Sequence, residues 1–469
     1  MKIAYISPSF PPDLDWDKGA NRAYELALGM RDAGHQVNVF AIANEVSAVT
    51  RQDGLTVHRQ LVDQSFTTLK MVAKTTPHLL TMMSSRNALW KSFLQEHARQ
   101  PFDLVDAPST VWDALVPGLP GLLPLVVRHQ EHLSTYDRKC FTGGGAFDLN
   151  RQLIDSLSDV AFRFSDSVYV ADQSLAQQLQ ERLSVTAAVI EEAIDLSRFT
   201  ASGAVAFAKD VDDRVVIVAR LQDEKVSSLI RDVALAVNEK STTTQFLLLA
   251  EDITSDDDEF HAQDSFKNLL KEPAQITVSR AYHELLPELL RSAPIVFVAP
   301  GSERLPHIWL ESMACQRALI ASGGDLTSRY LTNDVDSMVV KEFDSDSVCK
   351  TILTLKANAE LRAKLSQQAA SKVTKNHDRS QIVDKLEQIY KLSIENFSSV
   401  ERASARALAM VELIEASKRL VVSYDKMLYD CLFIESREFR LKHWLDKLSD
   451  KNGSSFGQKL LGIFAGRKQ

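Results

Sequence analysis

A chain of 469 residues with 45% apolar side chains, 25% charged ones and a net charge of -8 is long enough for two hydrophobic cores and offers no basic surface of the kind that binds nucleic acid. Its four cysteines, Cys140, Cys315, Cys349 and Cys431, lie far apart and form no CxxC pair, so they read as free thiols in a reducing compartment rather than as a zinc site. No apolar run approaches the roughly 20 residues of a membrane span, and MKIAYIS is too short for a signal-peptide core, so a cytoplasmic protein is expected.

In chain order, KIAYIS reads as a buried strand, followed by a turn-rich loop, a helix over about residues 21–33 and a second strand. Gly34 falls at the C-cap of that helix, where a left-handed conformation costs glycine least. Short apolar strands follow at FDLVDAP, LPLVVRH and SVYVADQ, the last leading into the helix QSLAQQLQERL with Asp172 as its N-cap. After DLSRFTASGAVAFAKD, where small residues interrupt the pattern, a second series begins with RVVIVAR, TQFLLLAED, QITVSRA, PIVFVAP and ALIASGG. Strands alternating with helices in two tandem runs predict an α/β protein with two Rossmann-like, doubly wound parallel sheets and a ligand cleft between them. From about residue 383 the pattern is helical, through IVDKLEQIYKLSI and ALAMVELIEASKRLVVSYDKMLYDCLFI, and these helices need a partner surface.

The stretch SERLPHIWLESMACQ places Glu303 on the loop after a strand and Glu311 in the following helix, with seven residues between them. Loops at the strand ends of open α/β sheets are where ligands bind. Pro306 suits a first helical position, and the N–H groups of that turn favour an anionic phosphate. Two carboxylates beside a phosphate could accept hydrogen bonds from sugar hydroxyls. Taken alone, the pair reads more simply as a solvated first-turn acid, Glu303, and an exposed helix residue, Glu311. The acidic run EDITSDDDEFHAQD lacks the ligand spacing and glycine of a calcium loop and reads as a solvated insertion, so no metal is implied.

Five stretches in order resemble the GT-B glycosyltransferases of the large family-four group, retaining enzymes that use nucleotide-diphosphate sugars. ERLPHIWLESMACQRALIASGG resembles the group's E-x7-E helix and glycine-rich turn, and SPSFPP with DKGANRAYELALGMRDAGHQVNVF its opening loop and helix. LPLVVRHQEH resembles its strand ending in histidine, VVIVARLQDEK its arginine–lysine phosphate site, and VIEEAIDLSRF its interdomain turn. The resemblance, over about residues 1–395, implies a metal-independent transfer of a sugar from a nucleotide diphosphate to an acceptor hydroxyl with retention, without a cofactor. Arg220 and Lys225 would hold the diphosphate as charge builds on the leaving group. Gly19, on the first strand–helix loop, would admit phosphate or sugar close to the backbone. His129, with His132 as the competing candidate, would face the donor sugar. Glu303 would hold the sugar hydroxyls and Glu311 the ribose, with Arg280 and Ala281 beside the base.

Several family glycines are absent. The first-loop glycine pair is KGA, the lysine–glycine is Lys225–Val226, the asparagine–glycine turn is Glu192–Ala193, and the phenylalanine–glycine of the glutamate motif gives way to Pro306–His307. Each added Cβ restricts backbone where phosphate would approach. The charged groups survive while the glycines drift, which favours a divergent enzyme over a catalytically silent GT-B scaffold or a nucleotide-sugar epimerase of the same fold. The expected division is an acceptor-side domain over 1–190, a nucleotide-sugar domain over 191–380, a helical extension over 381–450 and a basic tail over 451–469, with the helix at about 380–396 packed back on the first domain. The terminal helices suit a protein partner or self-association. The tail, with Phe456, Leu460, Leu461, Ile463 and Phe464 among lysines, suits a flexible or partner-docked segment or a peripheral membrane contact.

Overall fold

The computed structural model describes residues 1–11, 18–43, 45–62, 77–109, 123–129, 165–209, 211–253, 275–281, 284–302, 305–324 and 326–397, with 159, 161, 162, 259, 261, 262 and 264 as single positions. The helices expected beyond 397, the basic tail, Glu303 and His132 lie outside the described residues.

The first sheet holds β1 (Lys2–Ile6), β2 (Gln36–Ile42), β3 (Ala48–Gln52), β4 (Leu55–Gln60), β5 (Leu104–Pro108), β6 (Leu125–His129), β7 (Ser167–Val170) and β8 (Ala188–Val189) in the order β3-β4-β2-β1-β5-β6-β7-β8. Every pairing is parallel except β3–β4. The central strands are buried on both faces, the reason they read as continuous apolar runs rather than alternations. Helices α1 (Lys18–Asp32), α2 (Pro77–Arg99) and α3 (Gln173–Leu183) accompany them. Gly34 ends α1 at φ +87°, and Asp172 caps α3 by accepting the Leu175 N–H at 3.0 Å. The β3–β4 hairpin was not anticipated. Its turn, Asp53–Gly54, has both residues at positive φ, 49° and 77°, the left-handed pair that an Asp-Gly sequence favours between antiparallel strands.

The second sheet holds β9 (Arg214–Ala219), β10 (Gln245–Ala250), β11 (Gln275–Arg280), β12 (Ile295–Val298), β13 (Ala318–Ser322) and β14 (Met338–Val340), all parallel, in the order β11-β10-β9-β12-β13-β14. The short edge strand β14 is an addition to the five strands read from the sequence. Helices α4 (Glu224–Lys240), α5 (Leu286–Arg291), α6 (His307–Ala314), α7 (Thr327–Tyr330), α8 (Ser345–Ala357) and α9 (Ala359–Asn376) belong to this half. In each sheet the chain runs outward one way from the first strand and then resumes on that strand's other side. This makes β1/β5 and β9/β12 the topological switch points, the places where doubly wound folds bind ligands.

Helix α10 (Arg379–Glu395) returns to the first domain. Its Ile382, Val383, Leu386 and Tyr390 share a core with Ile3, Tyr5, Leu26 and Met30. Contact with α1 is closest at Gly29, where an added Cβ would lie 2.2 Å from Val383 Cγ2. The Tyr390 hydroxyl donates to Asp106 Oδ2 at 2.6 Å, Tyr169 donates to the same oxygen at 2.9 Å, Tyr5 lies 2.8 Å from the Tyr390 hydroxyl, and Arg128 pairs with Asp106 Oδ1. Four adjacent strands therefore each send one polar side chain to a single buried knot that also holds α10. The two chain crossings between domains run side by side: the Ile194 N–H donates to the His377 carbonyl at 2.8 Å and the Arg379 N–H to the Ile194 carbonyl at 3.1 Å. The carboxyl edges of the two sheets face each other, since Arg329 on α7 donates to Asp172 at the end of β7 at 3.2 Å.

Candidate active site

Register fixes one half of the site. Ala219, Ala250 and Arg280 stand level on the adjacent strands β9, β10 and β11, and β12 pairs with β9 one position earlier, Val298 with Val218. Arg220 and Ala281 therefore lie one residue beyond the same edge, on loops that all leave the sheet in the same direction. Asp223 caps α4 by accepting the Lys225 N–H at 2.9 Å, which puts Lys225 in the first helical turn with its side chain exposed. Val226, in place of a glycine, is buried in the core under that turn.

Two acids beyond β10 hold these loops. Asp252 accepts the backbone N–H groups of Leu221 at 2.9 Å and Gln222 at 2.7 Å, bracing the turn between Arg220 and Lys225. Glu251 Oε1 accepts the Ser302 hydroxyl at 2.7 Å and so fixes the loop leading to Glu303. Sequence reading assigned this acidic stretch to a solvated insertion. Its first two residues are instead supports of the site, because a carboxylate at a parallel strand end is within reach of the N–H groups of the neighbouring loop. Further along, Glu259 accepts the Arg280 N–H at 3.2 Å and lies 3.6 Å from its Nε.

Helix α6 begins at His307, after Pro306, and every one of its residues is buried. Glu311 is 3% exposed, which removes the reading of an exposed helix residue. A carboxylate kept in such a place requires polar company. His307 Nε2 approaches Glu192 Oε2 at 3.5 Å, and Glu192 Oε1 accepts from Arg22 Nη1 of α1 at 2.9 Å. Nearby, Arg379 meets three carboxylates, Glu25 at 3.0 Å, Asp195 at 3.0 Å and Asp32 at 3.1 Å. Burial pushes the Glu25 carboxyl up to about 7, with the charge of Glu311 adding to the rise and Arg379 opposing it. Of these, Glu192 was noted in the sequence only as a departure from the asparagine–glycine turn, and Arg22, Glu25 and Arg379 were not singled out.

Two further candidates lie in the first domain. His129 ends β6 on the opposite sheet, 4% exposed, with its Nδ1 2.7 Å from the Ser109 hydroxyl and the Phe162 ring edge-on at 5.3 Å. Gly19 sits within the first turn of α1 rather than on the preceding loop, one turn before Arg22.

Residues 204–372 match the model of the family described as glycosyl transferases group 1. The second domain is similar to that family over this stretch, and the chain has the GT-B fold. The whole architecture is similar to sucrose-phosphate synthase from Thermosynechococcus elongatus, with a TM-score of 0.62 and 16% identity over 83% of this chain and 98% of that one. It is similar also to Anabaena HepE in complex with UDP and glucose, with a TM-score of 0.59 and 16% identity over 83% and 99% of the two chains. A glycosyltransferase from Rickettsia africae gives a TM-score of 0.59 and 13% identity over 84% and 99%. No curated protein sequence matches the chain.

The matched stretch contains Arg220, Lys225, Arg280, Ala281 and Glu311, so it coincides with the half whose strand ends carry these residues. Among the described residues, no group of three or more His, Cys, Asp or Glu is placed to hold a metal ion, and no helix is long and apolar enough to cross a membrane.

Proposed function

We propose that the protein transfers a hexosyl group from a nucleotide-diphosphate sugar to an acceptor hydroxyl, with retention at the anomeric carbon and without a metal. The observation that carries this reading is the shared edge: Arg220, Lys225, Arg280 and Ala281 leave the switch-point side of the second domain together, with the buried Glu311 on the helix that follows the next strand. Asp252 braces the backbone turn that carries Arg220 and Lys225, and two cations on such a turn supply what a leaving diphosphate needs, positive charge where negative charge grows. HepE binds UDP and glucose, which makes UDP and UDP-glucose the first donor probes. In this reading Glu311 holds the ribose and Glu303 the sugar, while His129 approaches the sugar from the first domain.

Calorimetry separates the two glutamates. Glu311→Ala should weaken binding of the bare nucleotide diphosphate by about 1.5–3 kcal/mol, the usual loss for a hydrogen bond to a charged group, and Glu303→Ala should leave that affinity intact while impairing use of the nucleotide sugar. Equal affinities for wild type and both variants would remove the donor roles. A second reading, a GT-B protein that has shed catalysis and serves as a scaffold, draws on Pro306, which contributes no N–H at the start of α6. Absence of binding to any of UDP, GDP, ADP and their sugars would favour it.

A further inference from the structure

Two of the departures from the family pattern meet in space. Glu192 stands where the interdomain turn has an asparagine, and His307 stands in the altered stretch of the glutamate motif. Their side chains approach to 3.5 Å, and both residues are almost wholly buried, at 4% and 2% exposure. The other oxygen of Glu192 accepts from Arg22 Nη1 at 2.9 Å, and Arg22, 1% exposed, also donates to the Ile190 carbonyl and lies over the Tyr169 ring at 5.6 Å.

What these three residues join is specific. Helix α1 follows β1 and helix α6 follows β12, so each is the helix that starts beside its own sheet's switch point. Arg22 lies one turn beyond Gly19 in α1, and His307 is the first residue of α6, four positions before Glu311. Glu192 sits on the chain crossing between the domains, where its own carbonyl faces His377 Nδ1 of the return crossing at 2.9 Å. Through its carboxylate Glu192 thus meets the second turn of α1 on the acceptor side and the start of α6 on the donor side, and through its backbone carbonyl the return crossing between the domains.

We propose that Glu192 is a positioning residue for transfer, a buried strut that fixes the distance between the N-terminal part of α1, at Arg22, and the start of α6, at His307, and so holds the cleft in its reactive width. A neutral side chain at 192 would keep one hydrogen bond to Arg22 but lose the charge that offsets the buried guanidinium, and His307 would face an amide where it now faces a carboxylate oxygen. The strut takes over a task that backbone geometry at an asparagine–glycine turn would otherwise perform, since Ala193 at the next position removes the glycine's freedom.

This inference rests on the donor-site reading for its effect on rate, but not for its effect on shape, and the experiment uses both. Full-length wild type, Glu192→Gln and the reverting variant Glu192→Asp are compared by small-angle scattering without ligand, by hydrogen exchange over 18–32 and 307–314, by UDP calorimetry, and by turnover of UDP-glucose. Glu192→Gln is expected to loosen the two helix starts in exchange, to widen the scattering envelope, and to lower kcat about tenfold. It should keep UDP affinity within about twofold and a binding stoichiometry of one, which counts the folded molecules. Glu192→Asp, which keeps the charge on a shorter arm, should recover part of the rate. Unchanged exchange and scattering in Glu192→Gln, or a loss of UDP stoichiometry that accounts for the whole fall in rate, would overturn the strut. If wild type itself fails to bind UDP while Glu192→Gln still loosens the helix starts, the donor reading with that probe falls and the strut stands.

Discussion

The two sheets share a switch in strand order at their first strand and are both sandwiched by apolar clusters, but the first is tied in addition by a buried polar knot. In the second, the sheet is sandwiched by two clusters made almost entirely of aliphatic and aromatic side chains, from Val215, Ile217 and Phe297 on one face to Val216, Val298 and Trp309 on the other. In the first, the strands β1, β5, β6 and β7 bury Tyr5, Asp106, Arg128 and Tyr169 against one another, and α10 joins through Tyr390. An apolar core tolerates sliding of its parts at modest cost, whereas a buried ionic knot is satisfied in one arrangement only. The first domain depends on a helix that arrives 385 residues after its first strand pair is begun, as the Tyr5–Tyr390 contact shows, and a polar knot gives that late helix a single seat.

The largest test of that contrast is Asp106→Ala. It strands the Arg128 guanidinium in the core and should cost about 3–5 kcal/mol, with hydrogen exchange showing lost protection in β1, β5–β7 and α10 and retained protection in the second sheet. In the apolar sheet Ile217→Val should cost only about 0.5–1.5 kcal/mol. Equal losses of protection in both sheets under Asp106→Ala would mean the domains unfold as one unit.

Gly29→Ala probes the same helix by packing. With its Cβ 2.2 Å from Val383 Cγ2, the variant should lose about 1–3 kcal/mol, and adding Val383→Ala should return much of it. A Gly29→Ala protein with unaltered denaturation would show that α10 is free to shift. Lys225→Ala, in the other domain, should leave the melting temperature unchanged and lower turnover at least about tenfold, roughly 1.4 kcal/mol of transition-state stabilisation. Retained turnover would move the diphosphate site elsewhere.

The remaining test is one of pH. Glu25 competes with Asp195 and Asp32 for Arg379, and its folded carboxyl is raised to about 7 by burial. Above the ordinary carboxylate range the unfolded chain has lost this proton while the folded chain keeps it, so the contribution of Glu25 to stability declines as pH rises from about 4.5 to 7. Glu25→Gln should flatten that decline. A melting-temperature profile that runs parallel to wild type across this window would show that Glu25 is ionised throughout.

What could be read from the sequence was what neighbours in sequence decide. Gly34 and Asp172 mark helix ends through contacts within four residues, and the β-runs of the second domain are apolar because both faces of a parallel sheet are covered. The Asp53–Gly54 turn was equally local and was passed over because β3 is exposed along its length and has no apolar alternation to frame it. Arg220, Lys225 and Glu311 were visible through motif order. Arg22 was not, because its partner Glu192 is 170 residues away and nothing in the spelling of either stretch refers to the other. Glu251 and Asp252 were misread for the same reason, since their partners belong to loops that only the parallel register brings alongside.

The paired crossings at Ile194 and Asp378 make the second domain an insertion in the first. Its entry and exit lie hydrogen-bonded together, about 5 Å apart by the spacing of neighbouring strands. A turn of a few residues could therefore close the gap in its place, leaving the first sheet with α10 as one excisable module. The intervening domain could in turn be transplanted between hosts that offer the same narrow socket.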